Sequence, residues 1–169
     1  MKWEVMTMNP QDKTISLVPM TRDMYHTFFR EYQNARELYP DPQDYVEYVY
    51  DPQWVDAYVQ RQIDRKRISL AILYGDEIIG EVKLYDIVDG VCATLGIALK
   101  NTQWTDRGFG TVAEGLAVNY VFHELGIPTL YADTVLTNTR SQHVLEKVGF
   151  QFLYADERKK YYGITKISY

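Results

Sequence analysis

The stretch Asn101-Thr-Gln-Trp-Thr-Asp-Arg-Gly-Phe-Gly-Thr111, continued by Val112-Ala-Glu-Gly-Leu116, decides the predicted fold of this chain. It places Gly108 and Gly110 between a predicted apolar strand, residues 91–99, and a predicted amphipathic helix, residues 111–124. Glycine lets the backbone approach a ligand closely and adopts positive φ. A turn that leads into a helix N-terminus presents unpaired amides and the positive end of the helix dipole, and this combination binds phosphate. The stretch therefore predicts a site for a phosphorylated ligand.

A second segment, Asn138-Thr-Arg-Ser-Gln-His-Val-Leu-Glu-Lys-Val-Gly-Phe150, follows further along the chain. Together the two segments resemble the acetyl-CoA site of the GNAT (Gcn5-related N-acetyltransferase) superfamily. The first looks like its pyrophosphate loop and following helix, and the second like its Asn-x-x-Ser … Glu-Lys-x-Gly-Phe helix and strand start. The resemblance includes Ile78-Ile-Gly-Glu-Val82 and covers about residues 68–155. It is closest to the branch that acetylates ribosomal-protein N-termini and to its polyamine and small-amine relatives.

Length and composition predict one globular domain over residues 1–169, with 46% hydrophobic and 24% charged residues. The chain contains no run of 18 apolar residues, so no membrane span or membrane partner is expected. The N-terminus is too short and polar for a signal peptide, which makes the cytoplasm the expected compartment. The single Cys92 excludes an intrachain disulfide, and no metal site is expected.

The net charge of −5 argues against a nucleic-acid partner, because phosphate backbones bind to basic surfaces. The only basic clusters are 65–67 and 158–160, which we interpret as solvated helix ends or turns. An acidic chain is compatible with a cationic amine substrate.

Hydrophobic periodicity predicts an α+β fold: a mixed, mostly antiparallel twisted sheet of about seven strands flanked by about four helices. The resemblance implies the acyl-CoA N-acyltransferase fold. Strand 91–99, helix 111–124 and strand 129–136 form a right-handed unit with parallel strands, and ligands bind beyond the carboxyl ends of such strands. The other predicted strands are 15–19, 68–74, 77–88, near 150–156 and 161–168. The other predicted helices are one to about residue 37 with Thr21 as its cap, one from Pro52 with Asp51 as its cap, and 139–148.

The resemblance implies how acetyl-CoA is held. Backbone amides of the glycine turn hold the pyrophosphate, and these positions are Arg107, Gly108, Phe109, Gly110 and Thr111. The Arg107 side chain either pairs with a phosphate or is a solvated loop arginine. One position departs from the family, because Thr105 replaces the usual Gln or Arg three residues before the first glycine.

Further cofactor contacts are implied on the strand and on the last helix. Backbone groups of Ile97, Ala98 and Leu99 pair with pantetheine like an added strand. Asn138 is either a helix N-cap, a pantetheine contact, or both. Ser141 lies one turn further on the same face and is either a cofactor contact that protonates the leaving thiolate or a surface hydroxyl.

The implied chemistry is direct transfer of acetyl from acetyl-CoA to a primary amine through a tetrahedral intermediate. It needs a base, an oxyanion donor and an acid for the sulfur. The family's acidic Tyr is Leu145 here, so Ser141 is the predicted acid, with Tyr154 as a second choice. The position of the family's basic Glu looks like Thr94; Glu81 is the remaining candidate base unless it faces the surface or a water chain serves instead.

The acceptor is expected to be a protein N-terminus, a polyamine or another small amine. Residues 39–54 are rich in Tyr, Asp and Glu and form either an acceptor lip, acting through charge and cation–π contacts, or a set of rings that packs the first two helices. A homodimer is compatible with the resemblance. Two other functions stay open: a non-catalytic acyl-CoA-binding regulatory module, and a nucleotide-phosphate binder, although the chain lacks the Gly-Lys-Ser/Thr ending of such loops.

Overall fold

A mixed eight-stranded sheet forms the centre of the computed structural model, which describes residues 3–6, 14–36, 39 and 42–169. Its spatial order is β1-β2-β3-β4-β5-β6-β8-β7. Only β5 and β6 are parallel; every other neighbouring pair is antiparallel. The strands are β1 Trp3–Met6, β2 Ile15–Pro19, β3 Ile68–Tyr74, β4 Glu77–Val88, β5 Cys92–Leu99, β6 Thr129–Val135, β7 Gln151–Ala155 and β8 Lys159–Thr165.

Four α-helices flank this sheet: α1 Arg22–Glu31, α2 Pro52–Asp64, α3 Phe109–Asn119 and α4 Thr139–Val148. The predicted N-caps are confirmed for three of them. The side chain of Thr21 accepts a hydrogen bond from the Met24 amide, Asp51 accepts from the Gln53 and Trp54 amides, and Asn138 accepts from the Ser141 amide. Short 3-10 turns lie at Pro42–Asp44 and Thr102–Trp104, and α3 continues into a π-helical turn at Tyr120–Glu124.

The predicted fold class, the antiparallel meander β3-β4-β5 and the parallel pair β5-β6 are confirmed. The sequence reading missed β1, and it placed the end of α1 near residue 37 instead of Glu31. The helix stops early because the Gln33 amide donates 2.7 Å to the Lys100 carbonyl, which ties the chain to the end of β5. Pro40 and Asp41, part of the predicted break, lie outside the described residues.

Two cores lie on opposite faces of the sheet. The larger one packs α3 and α4 against the strands through residues such as Val82, Leu95 and Ala113. The smaller one lies under α1 and α2 and is built around Phe29 and Val55. No helix in the described part of the chain is long and apolar enough to cross a membrane.

Gly80 on β4 is required for the close approach of β5, and replacing it with alanine should destabilise the protein. An added Cβ would lie 2.6 Å from the Ala98 carbonyl oxygen and 2.9 Å from Ile72 Cδ1. Because backbone must move, we expect Gly80→Ala to lower the free energy of unfolding by about 1–3 kcal/mol in urea titrations. Gly115→Ala is the control, since a Cβ there meets nothing within 4 Å. An unchanged midpoint for Gly80→Ala would contradict this account.

Candidate functional site

The parallel strands β5 and β6 separate part-way along their length. They pair from Cys92 opposite Thr129 to Leu95 opposite Ala132, although β5 runs on to Leu99. On its other side β5 stays paired with β4 as far as Leu99 opposite Gly80. Residues 96–99 therefore have no strand partner on the β6 side, and their backbone groups can pair with an extended ligand. The gap lies at the carboxyl ends of the two parallel strands, where the sequence predicts ligand binding.

A cavity of about 240 Å³ lies in this gap and is called here the splay chamber. It passes between the two faces of the sheet: Ser141 and Leu145 of α4 line it on one face, and Asp133 and Lys159 line it towards the other. Leu145, which replaces the family's Tyr, thus contributes an apolar wall.

A second cavity of about 160 Å³, the middle chamber, continues from the first along β5. It is lined by Ala98 and Leu99 and is covered by Tyr32 and Gln33, which follow α1. The two chambers have four lining residues in common, which place them side by side: Ile97, Glu114, Asn138 and Ser141.

The third cavity, about 590 Å³, lies at the glycine turn and is called the outer cradle. Gly108 caps α3 with a φ of 82°, a left-handed conformation that favours glycine. A Cβ on Gly110 would meet nothing within 4 Å, so this backbone faces open space. The outer cradle and the middle chamber share Gly110 and Arg140, so the three cavities adjoin one another in a row, which is called here the channel.

Most of the predicted cofactor residues line this channel: Ile97, Ala98, Leu99, Gly108, Gly110, Thr111, Asn138 and Ser141. Two have side chains elsewhere. Phe109 is buried against Trp104 and Tyr74. The Arg107 guanidinium lies over the Phe109 and Trp104 rings, 4.9 and 5.6 Å from their centroids, and donates to the Gln103 carbonyl at 3.4 Å.

Two cations and an imidazole from α4 line the outer cradle: Arg140, Lys147 and His143. This face of α4 was not predicted, although the spacing of three and four residues places all three side chains on one side of a helix. Arg140 also donates to Asp106 at 2.9 Å. The arrangement supplies positive charge beside the free amides of the glycine turn.

Glu114 is a second residue that the sequence analysis missed. Its side chain is 1% exposed, and its Oε2 has no hydrogen-bond partner. Burial raises the pKa of this carboxyl to about 8. The available sequence signal was an acidic residue four positions after Gly110, hence on the same helix face.

Glu81, the predicted base, is buried on the opposite face of the sheet, so the alternative of a surface-facing position is wrong. Tyr25 donates to its Oε1, and Tyr58 donates to its Oε2 at 3.2 Å. Lys83 lies 3.7 Å from the same carboxylate. Burial and the charge of Glu81 raise the pKa of both tyrosines. Glu81 thus joins α1 and α2 to β4, and it is not among the residues that line the channel.

A cluster of polar side chains lies where the splay chamber reaches the face of the sheet that α1 and α2 cover. Asp133 accepts hydrogen bonds from Lys159, through Oδ1, and from Tyr85, through Oδ2 at 3.2 Å. The Arg67 guanidinium lies 5.5 Å from the Tyr85 ring centroid. Lys159 therefore has a charged partner, although its side chain is 43% exposed.

The aromatic residues between α1 and α2 mainly pack against each other. The Tyr48 ring lies 5.4–5.8 Å from the rings of Phe29, Tyr32 and Trp54, which confirms the packing interpretation for this tyrosine. Asp44 and Glu47 are exposed. No group of three His, Cys, Asp or Glu residues suited to a metal ion occurs in the described ranges.

The sequence profile of a family described as "Acetyltransferase (GNAT) domain" matches residues 14–151. The chain belongs to this family. Three features of the channel leave protein groups open to a ligand: an opened parallel strand pair, a glycine turn with free space before a helix, and a buried unpaired carboxyl oxygen.

The chain is also similar to individual members of the family. It is 38% identical over 77 residues to a probable N-acetyltransferase, YjcK, of Bacillus subtilis strain 168; the match spans 44% of this chain and 42% of that protein. The fold resembles FdhC, a nucleotide-linked sugar GNAT (TM-score 0.75, 17% identity, 96% and 93% of the two chains). It also resembles a spermidine N-acetyltransferase from Vibrio cholerae in complex with CoA and spermine (TM-score 0.73, 16% identity, 91% and 96%).

Proposed function

We propose that this protein transfers an acetyl group from acetyl-CoA to a primary amine. The observation that carries the proposal is the row of adjoining cavities from the glycine turn to the gap between β5 and β6. A phosphate-binding end and a slot that crosses the sheet suit a long ligand with a phosphorylated head and a reactive tail. FdhC, a nucleotide-linked sugar GNAT, and the spermidine N-acetyltransferase from Vibrio cholerae have the same fold.

In this proposal the amides of residues 108–111 hold the pyrophosphate at the N-terminus of α3, and Arg140, His143 and Lys147 surround the phosphates. The backbone of Ile97, Ala98 and Leu99 pairs with the pantetheine arm in the middle chamber. Arg107 contributes its backbone and stabilises the loop by stacking on Phe109.

The reactive end lies in the splay chamber. The amine attacks the thioester carbonyl directly, and the developing negative charge on the carbonyl oxygen faces amides of β5 that have no strand partner on this side. Ser141 and Asn138 line the same chamber from α4. Because Tyr25 and Tyr58 close off Glu81, we assign removal of the ammonium proton to a water chain and give Glu81 the role of positioning the two helices.

The acceptor enters from the face of α1 and α2. Asp133 lines the splay chamber there, and an acceptor ammonium could take the place of Lys159 beside its carboxylate. Polyamines, amino sugars and protein N-termini all offer such a group; the Vibrio relative is named for spermidine. A homodimer stays a prediction, for which the half-exposed Phe152, Leu153 and Tyr154 on edge strand β7 are the candidate surface.

Thermal unfolding with and without acetyl-CoA tests the proposal, followed by CoA release with spermidine, an amino sugar nucleotide and an N-terminal peptide. A ligand at 100 times its dissociation constant stabilises the native state by about 2.7 kcal/mol, so we expect a clear rise in Tm. Binding without release from any amine would favour a non-catalytic acyl-CoA-binding module. Stabilisation by ATP alone would favour a nucleotide binder and overturn the proposal.

A further inference from the structure

The buried carboxyl of Glu114 is a channel group to which the proposed reaction gives no role. It lies on α3 one turn after Gly110 and lines both the splay chamber and the middle chamber. Its Oε2 is buried without a hydrogen-bond partner. A buried polar atom with no partner is costly in a fold, and here it belongs to a side chain that lines the ligand channel.

The position along the channel indicates which part of a bound thioester this carboxyl meets. Glu114, Asn138 and Ser141 line both chambers, and they therefore mark the junction between the chambers. The strand segment assigned to pantetheine lies on one side of this junction, and the slot assigned to the acetyl group lies on the other. The thioester sulfur joins these two parts of the ligand. Leu145 provides no acid in this chamber, whereas Ser141, the acid predicted from the sequence, and Glu114 both line it. A carboxyl is a much stronger acid than a serine hydroxyl, which makes Glu114 the better donor of the two.

The charge state of Glu114 near neutral pH suits a donor. Burial is the sole cause of its raised pKa of about 8, so a large fraction of this carboxyl carries a proton at neutral pH. The charged groups that line the two chambers with it are Asp133 and Lys159 on the splay side and Arg140 on the middle side. Ordinary thiols have a pKa of about 8.5, close enough for proton transfer in either direction.

We propose that Glu114 donates its proton to the sulfur that leaves the acyl thioester. This inference rests on the proposed function. As the bond from nitrogen to the carbonyl carbon forms and the carbon–sulfur bond breaks, the electron pair goes to sulfur, which takes the proton from the carboxyl. The ammonium nitrogen loses two protons in forming the amide; one returns through water to the Glu114 carboxylate and the other leaves to solvent.

Glu114→Gln tests the assignment, because glutamine keeps the shape and can donate a hydrogen bond but transfers no proton. We expect its affinity for acetyl-CoA in calorimetry to stay within about threefold, while kcat for transfer falls by about 100-fold or more. Glu124→Gln is the matched control, since it removes the same charge from an exposed position in the π-helical turn after α3. Equal loss of affinity and rate would make Glu114 a binding residue only and overturn the inference.

Binding of CoA and desulfo-CoA gives a readout that does not depend on turnover. Raising the pH from about 7 to about 9.5 ionises both the thiol and the carboxyl, so wild-type affinity for CoA should fall at least tenfold more than its affinity for desulfo-CoA. In Glu114→Gln this difference should shrink. The same pH dependence for both ligands in the wild type would place Glu114 away from sulfur. That comparison uses only the wild type, so it can overturn the placement of Glu114 beside sulfur even if the variant fails to fold.

The two hypotheses fail in different ways. If the wild type binds acetyl-CoA and acetylates an amine, but Glu114→Gln does so at the same kcat, the donor assignment is wrong and the proposed function stands. If the wild type binds neither CoA nor acetyl-CoA, the proposed function is wrong, and the donor role is wrong with it.

Discussion

A tryptophan at position 110 should abolish acetyl-CoA binding and leave the fold intact. Gly110 lines both the outer cradle and the middle chamber, and a Cβ added there meets nothing within 4 Å. The first atom of a larger side chain at this position therefore meets no protein atom, and we expect an indole to block the path between the two cavities. We expect the dissociation constant to rise by at least about 100-fold, a loss of about 2.7 kcal/mol, with Tm unchanged or slightly raised because glycine in a helix is destabilising.

Isothermal calorimetry with acetyl-CoA, combined with thermal unfolding, checks this expectation. Gly115→Trp is the matched control: it lies on the same helix, its added Cβ also meets open space, and it lines none of the three cavities. Undiminished affinity in Gly110→Trp would remove the glycine turn from the site. Equal losses in both variants would point to a general disturbance of α3.

Glu114→Gln should raise the free energy of unfolding at neutral pH, because it removes a carboxyl that destabilises the folded state as the pH rises. The folded state holds the Glu114 proton up to a pKa of about 8, whereas an unperturbed glutamate releases it near 4.5. The stabilising effect of this tighter proton binding is fully present below pH 4.5 and is lost progressively as the pH rises to about 8. At about 1.4 kcal/mol for each pH unit, the loss between pH 4.5 and pH 7 is about 3 kcal/mol.

Urea unfolding of Glu114→Gln and of the wild type at several pH values measures this loss of stability. The free energy of unfolding of Glu114→Gln minus that of the wild type should increase by up to about 3 kcal/mol from pH 4.5 to pH 7 and level off above about pH 8. Glu124→Gln, which makes the same replacement at an exposed position, is measured in parallel as the control. A difference that does not depend on pH would mean that the Glu114 carboxyl is ionised in the native protein.

Local sequence signals identified the parts of the site that depend on backbone. Gly108 adopts the positive φ that its position between strand and helix indicates, and Asn138 caps α4 as its residue type favours. Thr21 and Asp51 cap their helices for the same reason. A cap or a turn involves residues a few positions apart, so the sequence contains everything that defines it.

Side-chain environments were harder to predict. The alternation of side chains along β4 is compatible with either a solvent-facing or a buried position for Glu81. Only the packing of α1 and α2 places Tyr25 and Tyr58 over it. His143 is exposed, and the packing of α4 beside the glycine turn makes it line the outer cradle next to Arg140. Each outcome depends on which distant element covers the side chain, and periodicity within one element contains no information about that.

The sequence by itself determined the class of the fold, the glycine turn before α3 and the helix caps, because these follow from the conformational preferences and hydrogen-bonding groups of neighbouring residues. Only the tertiary structure decided where β5 leaves β6, and this separation forms the chamber. It also decided that Glu114 lies buried with an unpaired oxygen. The pKa of a carboxyl depends on how much water surrounding elements exclude from it, and that exclusion exists only once strands and helices distant in the chain have packed together.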